Sequence, residues 1–510
     1  MSKHYTNVAL RGKNILYRGI NEDGTRFQTK EEFRPTMFVP SKEKTKFKTL
    51  NGVYVEPIQP GNIQDTREFI DRYQDVQGFE IYGNNDFIYQ FIGANYRGEV
   101  DYDFSKIKVA TIDIECESEY GFPRPDNPNE RVNAITVDFN GWVYVFGLGE
   151  FSLDEKDNLR QFVFETEEEL LDSFLSTWEL ESPDVVTGWN VRFFDIPYLV
   201  NRISEVLGSS AAKRLSPWKV LKERSIRKMN RENQTYEIVG VSTLDYYELY
   251  KTFTYVNQES YRLDHIAFVE LGEKKLSYDE YDSMATFYRN DFNKFIEYNV
   301  KDVELIKNLE DKMKLLELAV SLAYAAKVNF MDVFGQVRMW DCIIYHYLME
   351  HNIVIPPKTS GKKDAQYAGA YVKDPIVGMH DWVVSFDLNS LYPHLIMQYN
   401  ISPETMIDQD KDISISPNTI LSGKLPAKNG YSIAANGTCY TKEHQGFLPA
   451  LMEKLYKERK MYKKKMIECQ KRQQSGENLE KEIAKYNNFQ LVRKIQLNSA
   501  YGAIGNEWFR

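Results

Sequence analysis

From residue 106 to about residue 313, β-prone runs alternate with amphipathic helical segments. KVATIDIE and PDVVTGWN read as strands, and EEELLDSFLSTWEL and RNDFNKFIEYNVKDVELIKNLEDKM as helices. Each such element must bury one apolar face against the next layer, so the alternation predicts a layered α/β domain. The strand VATIDIECE adds a chemical constraint. Side chains alternate sides along a strand, so Asp113 and Glu115 share one face while Ile112 and Ile114 point to the opposite layer. Two acids on an apolar strand are costly unless a positive group neutralises them or water reaches them. A divalent cation supplies the first remedy and a solvated strand end the second. Both stay open on these residues alone.

The flanking regions differ in character. Residues 1–100 read as short strands broken by turns such as NEDGT and YGNND, with an amphipathic helix in NIQDTREFIDRYQDV. Beyond residue 313, KLLELAVSLAYAAKV and VRMWDCIIYHYLMEH read as helices, and VIPPKTSGKKDAQYAGAYVKDP as a linker. Residues 402–445 are loop-rich, and 446–510 read as two long basic helices joined by QQSGEN. A length of 510 residues fits three or four domains of about 150 residues each. The net charge is −10, yet Leu451 to Ala500 carries thirteen Lys and Arg against six Asp and Glu. Such a run is a solvated helix face as readily as a phosphate-binding surface. Four cysteines with no CxxC argue against a disulfide framework or zinc ribbon and fit a reducing cytosol. No apolar run approaches the roughly 18 residues of a membrane span, and the N-terminus lacks the apolar core of a signal peptide.

Further acids and polar stripes stand out. TGWNVRFFDIPYL puts Asp195 between Phe194 and Ile196, where a helix-capping role is the common one. FIEYNVKDVELI puts Tyr298 and Asp302 at i and i+4 on one helix face, a spacing that a buried hydroxyl–carboxylate pair also explains. VVSFDLNSLYPHL reads as a short strand, Val383 to Phe386, delivering Asp387 into a turn ahead of Tyr392 and Pro393. Magnesium chemistry on phosphates takes at least two carboxylates, and Asp387 stands alone. In RKIQLNSAYGAIGN, Lys494, Asn498 and Tyr501 share one helix face at i, i+4 and i+7, and Gly502 leaves room beside Tyr501 for a base pair. In YKERKMYKKK, Arg459 and Lys463 lie at i and i+4. A plain amphipathic helix carries Leu or Val on such a stripe, whereas Lys, Asn and Tyr suit a triphosphate and a base.

Together, the D-x-E of Asp113 and Glu115, the NVRFFD segment ending at Asp195 and the Tyr298–Asp302 pair resemble the three motifs of DnaQ-like 3′–5′ exonucleases, in order. DLNSLYPHLI resembles motif A of the family B DNA polymerases, RKIQLNSAYGAIGN their motif B, and YAGAY (Tyr367 to Tyr371) the element between their exonuclease and polymerase modules. The resemblance is greatest to the T-even-like bacteriophage members and covers essentially the whole chain. His394 stands where motif A usually has serine.

The resemblance implies an α/β multidomain chain. Its parts are a β-rich N-terminal domain (1–103), a DnaQ/RNase H-like exonuclease domain (104–315), a return to the N-terminal domain with a linker (316–358), a partial palm with motif A (359–445) and helical fingers with motif B (446–510). It also implies a two-metal exonuclease using Mg2+, with Mn2+ as substitute. Asp113, Glu115 and Asp302 would be inner ligands, with Asp113 bridging. Asp195 would support the second metal or its water shell, and Tyr298 would orient the attacking water. Lys275, in EKKLSY, resembles a lysine near this site, and the expected hairpin near 227–240 resembles one that helps separate the primer strand. In motif A, Asp387 and the Leu388 backbone would bind the catalytic metals. Leu388, Ser390 and Leu391 would cradle the triphosphate, and Tyr392 would pack under the sugar and exclude a 2′-hydroxyl. Arg459, Lys463, Lys494 and Asn498 would grip phosphates, with Tyr501 beside the base.

The family's motif C, a D-T-D turn, does not occur in these 510 residues. Two accounts stay open: a polymerase divided over two chains, or a shortened piece of one. On either, the expectation is that this chain alone degrades single-stranded DNA from its 3′ end and does not polymerise. Expected partners are primer–template and single-stranded DNA, deoxynucleoside triphosphates, and a C-terminal polymerase chain carrying motif C and the thumb. No membrane is expected, and the expected setting is the cytoplasm of an infected bacterial host. A stand-alone exonuclease is a second reading, opposed by the intact Lys–Asn–Tyr stripe. A non-catalytic primer–template-binding subunit is a third, opposed by the complete set of nuclease acids.

Overall fold

The computed structural model describes residues 3–119, 121–228, 231–254, 256–356, 372–409, 415–426 and 430–509. The YAGAY element and most of the linker lie outside the described residues. The chain divides into two compact units. One comprises residues 1–32, 96–323 and 329–334, and the other 33–95, 324–328 and 335–510.

The first unit is built on a six-stranded sheet in the order Leu159–Phe164, Trp142–Leu148, Val132–Phe139, Val109–Cys116, Val185–Thr187, Ser242–Thr243. Val132–Phe139 runs antiparallel to both its neighbours, while Val109–Cys116, Val185–Thr187 and Ser242–Thr243 run parallel to one another. The Asp113 strand is therefore interior to the sheet. On one face, Ile112 and Ile114 join a core with Leu170, Phe174 and Trp178 of helix Glu167–Glu181, and with Ile196 and Leu199 of helix Asp195–Val206. On the other, helix Phe292–Met313 packs Phe295, Ile296 and Tyr298 against Ala134 and Val145. That helix starts where Asp291 accepts the Lys294 N–H at 3.1 Å, satisfying one of its free first-turn donors.

A three-stranded meander, His4–Arg11, Asn14–Ile20 and Arg26–Glu32, belongs to the same unit. Its Arg18 is buried, donates to the carbonyls of Ser182, Pro183 and Gly240, and lies 3.8 Å from the buried Asp184. The expected hairpin is present. Leu221–Lys228 pairs antiparallel with Arg231–Ile238.

In the second unit, a four-stranded sheet is ordered Ile353–Val354, Phe47–Thr49, Tyr54–Ile58, Met37–Pro40. The expected amphipathic helix runs Ile63–Tyr73, with Asn62 and Asp65 forming a capping box. The loop-rich stretch contains a small sheet of Met406–Gln409, Thr438–Thr441 and Tyr431–Ile433. The two basic helices run Phe447–Gln474 and Glu480–Ile504. They pair antiparallel: Arg493 meets Glu458 at 2.5 Å, and the rings of Tyr462 and Phe489 lie 5.1 Å apart.

One expected element does not form. Val383 to Phe386 is not a strand and belongs to no sheet among the described residues. Val383 and Phe386 are 76% and 90% exposed. β-propensity alone makes no strand, because the backbone N–H and C=O groups need a neighbouring ladder to pair with.

Candidate nuclease and nucleotide sites

Alternation along the interior strand turns Asp113 and Glu115 away from the Ile112–Ile114 core and toward helix Phe292–Met313. That helix presents Tyr298, Asn299 and Asp302, all buried. One oxygen each from Asp113, Glu115 and Asp302 lie within 4.8 Å of one another. Asp195 is outside that trio but lines the same cleft. It opens helix Asp195–Val206, and its Oδ1 accepts the Ile114 N–H at 3.2 Å, so it is tied to the acidic strand and does not cap its own helix.

The loop leading to Asp195 is pinned by a residue that sequence reasoning passed over. Asp245 is fully buried and accepts the N–H groups of Asn190 at 3.1 Å and Arg192 at 3.0 Å. Gly188 is needed in that loop, because a Cβ there would sit 2.4 Å from the Ile112 carbonyl oxygen. Lys275 belongs to the site: its Nζ donates to Tyr298 Oη at 3.1 Å and pairs with Asp302 Oδ2. Asn299 was also missed, and its Nδ2 donates to Asp113 Oδ2 at 2.7 Å. An amide one residue past Tyr298 carries no spacing signal of its own.

The electrostatics follow from crowding. Burial first, then the charges of Asp302, Glu115 and Asp195, push the Asp113 carboxyl well above its ordinary range, against the pull of Lys275. Burial and Asp302 push Glu115 up to about 8. Burial raises Asp195 to about 7 although the Ile114 N–H favours its charged form. Burial raises Asp302 to about 6, with Lys275 holding it down. Burial works against the Lys275 ammonium, but Asp302 outweighs it and holds the pKa up. The site thus has more negative charge than one lysine offsets. Asp302 Oδ1 is buried with no hydrogen-bond partner among the described residues, as a carboxylate shaped to meet a cation would be.

The cleft holds about 1450 Å³. Phe122, Trp189 and Tyr247 line it, as do Glu223, Ser225 and Gln234 of the hairpin. Phe122 is 82% exposed.

In the second unit, Asp387 and Leu388 lie in an exposed segment without regular secondary structure that turns at Asn389 and Ser390 into helix Leu391–Tyr399. Tyr392 stacks on Tyr501 with centroids 4.4 Å apart and planes 9° from parallel, and His394 meets Tyr456 edge-on at 4.8 Å. The motif A helix is thereby joined to both basic helices. Arg459 and Lys463 lie on the first of these, and Lys494, Asn498 and Tyr501 on the second.

An α/β sheet with converging acids and a helical hairpin with a Lys–Asn–Tyr stripe define a chain with a nuclease-type acid site and a polymerase-type helical unit. The pattern of "DNA polymerase family B, exonuclease domain" matches residues 88–266, and that of "DNA polymerase family B" residues 332–508. The chain belongs to the family B DNA polymerases. It is similar to the DNA-directed DNA polymerase of Escherichia phage RB69, at 32% identity over 100% of this chain and 64% of the relative. For that of Enterobacteria phage T4 the identity is 31% with the same coverage. The DNA polymerase delta catalytic subunit of Schizosaccharomyces pombe is 26% identical over 78% of this chain and 37% of its own length. The chain thus spans 64% of the length of its phage relatives. Among the described residues, no helix is long and apolar enough to cross a membrane.

Proposed function

We propose that this chain is the exonuclease-bearing part of a viral replicative DNA polymerase, and that it removes nucleotides from the 3′ end of single-stranded DNA. The observation that carries the reading is the convergence of Asp113, Glu115 and Asp302 within 4.8 Å, with a buried Asp302 oxygen left without a partner. That donor set fits Mg2+, with Mn2+ as substitute, because hard cations take carboxylate oxygens. Bound there, two such ions would supply an activated water and neutralise the departing 3′ oxygen. Asp113, Glu115 and Asp302 would be the inner ligands. Asp195, anchored on Ile114, would support the second ion or its water shell, and Tyr298, held by Lys275, would orient the water. The aromatic side chains along the cleft offer faces on which single-strand bases stack. The hairpin beside it helps part the primer strand.

The second unit is the proposed seat of nucleotide transfer. Asp387 and the Leu388 backbone would bind catalytic ions there, and Leu388, Ser390 and Leu391 would cradle the triphosphate. Tyr392 packs under the sugar. Arg459, Lys463, Lys494 and Asn498 hold the phosphates, and Tyr501 lies against the base. One carboxylate alone does not hold two ions, and in this reading a polymerase segment carrying motif C supplies the second. A polypeptide that brings it would also cover the exposed Val383 to Phe386 run. The setting is the cytoplasm of an infected bacterial cell, with primer–template DNA and deoxynucleoside triphosphates as partners.

The test is an assay of the 510-residue chain on 5′-labelled single strands with Mg2+. Shortening is expected for the wild type and not for an Asp113→Ala/Glu115→Ala variant. No shortening, or equal shortening by both, refutes the exonuclease reading. Adding a C-terminal polymerase chain that carries motif C is expected to start nucleotide incorporation.

A further inference from the structure

We infer that Asn299 and Thr136 are positioning residues of the exonuclease site, forming a two-step relay that fixes the carboxylate of Asp113. The inference rests on the reading of the three acids as cation ligands. Thr136 lies directly across from Asp113 in the antiparallel pairing of their strands, so both side chains leave the same face of the sheet. Asn299 comes down from helix Phe292–Met313 and bridges them. Its Nδ2 donates to Asp113 Oδ2 at 2.7 Å, and its Oδ1 accepts from the Thr136 hydroxyl. Asn299 and Thr136 are both fully buried.

The chemistry of an amide explains why two residues are needed. Asparagine has a donor end and an acceptor end of nearly equal size. A carboxylate is helped by the donor end and repelled by the acceptor end. The Thr136 hydroxyl donates a hydrogen bond to Oδ1, which commits the amide to presenting its NH2 to Asp113. With Oδ2 held in this way, the plane of the Asp113 carboxylate is set before a cation arrives. That is the second-layer support that ligating carboxylates commonly need. Neither residue lines the cleft that the three acids face, so both act through Asp113.

The test is Mn2+ binding to the full chain, followed by the electron paramagnetic resonance of free Mn2+. Wild type, Thr136→Val, Thr136→Ser and Asn299→Ala are compared. Valine keeps the shape of threonine and removes the hydroxyl; serine keeps the hydroxyl and removes a methyl. Thr136→Val and Asn299→Ala are expected to bind Mn2+ about tenfold more weakly or worse, and Thr136→Ser within about twofold of wild type. On single-stranded DNA, the Thr136→Val loss is expected in kcat, with KM for DNA unchanged. Wild-type affinity in Thr136→Val or in Asn299→Ala overturns the relay. So does a Thr136→Ser variant as weak as Thr136→Val, which would make the role one of packing. A wild-type chain that binds no Mn2+ overturns the cation-site reading itself, a result distinct from failure of the relay alone.

Discussion

Glu115→Gln should make the metal-free protein more heat-stable at pH 8, although it removes a proposed ligand. Below pH 4.5 the Glu115 carboxyl is protonated in folded and unfolded chains alike. Between 4.5 and about 8 the unfolded chain has released the proton while the folded chain retains it. Stability therefore falls as pH rises through that window, and the loss is complete above about 8. At 1.36 kcal/mol per pKa unit the ceiling is about 5 kcal/mol. Water entering the cleft lowers the cost of burial, leaving about 2–3 kcal/mol. For a domain of this size that corresponds to roughly 5–10 °C in melting temperature. Glutamine has the same shape and no charge to bury. Thermal melts in EDTA, followed by tryptophan fluorescence, should coincide near pH 4.5 and diverge toward pH 8, with the variant higher. Mg2+ should then raise the wild type more than the variant. Parallel melting temperatures across the window, or a variant that melts lower at pH 8, would show that Glu115 is not held under repulsion.

Lys275→Met leaves Asp302 buried beside two other acids with no cation. It should cost about 2–4 kcal/mol in EDTA, read from urea denaturation, with much of the loss recovered on adding Mg2+. Arg18→Met strips the donors from three carbonyls and one partner from Asp184, which keeps Arg26. A loss of about 2–3 kcal/mol is expected, together with faster proteolysis of the meander. For the Tyr392–Tyr501 stack, a double-mutant cycle of the two alanine variants should give a coupling of about 0.5–1.5 kcal/mol.

The acid site was legible to different depths. Asp113 and Glu115 announced themselves because a period of two puts both on one face of an apolar strand, and no packing argument wants them there. Tyr298 and Asp302 gained meaning only beside them. Asp195 looked like a helix cap, and its true partner, the Ile114 N–H, lies 81 residues away in sequence. Asn299 depends on Thr136 at a separation of 163 residues, and nothing local marks either. Lys275 sits in a loop where a lysine is ordinary, so the resemblance alone pointed to it, and its pairing with Asp302 came from the fold. The Val383 to Phe386 run misled for the opposite reason: propensity is a local property, and a ladder is not.

The distance along the chain between the Asp113 strand and helix Phe292–Met313 has a temporal consequence. During synthesis the strand leaves the ribosome nearly 190 residues before Asp302 does, an interval of roughly 10–40 s at ordinary elongation rates. Until that helix docks, Asp113 has neither its asparagine nor the third acid, and the trio does not exist. On the proposed function, a half-made chain therefore carries no assembled cutting centre, and the site is complete only once that helix has docked.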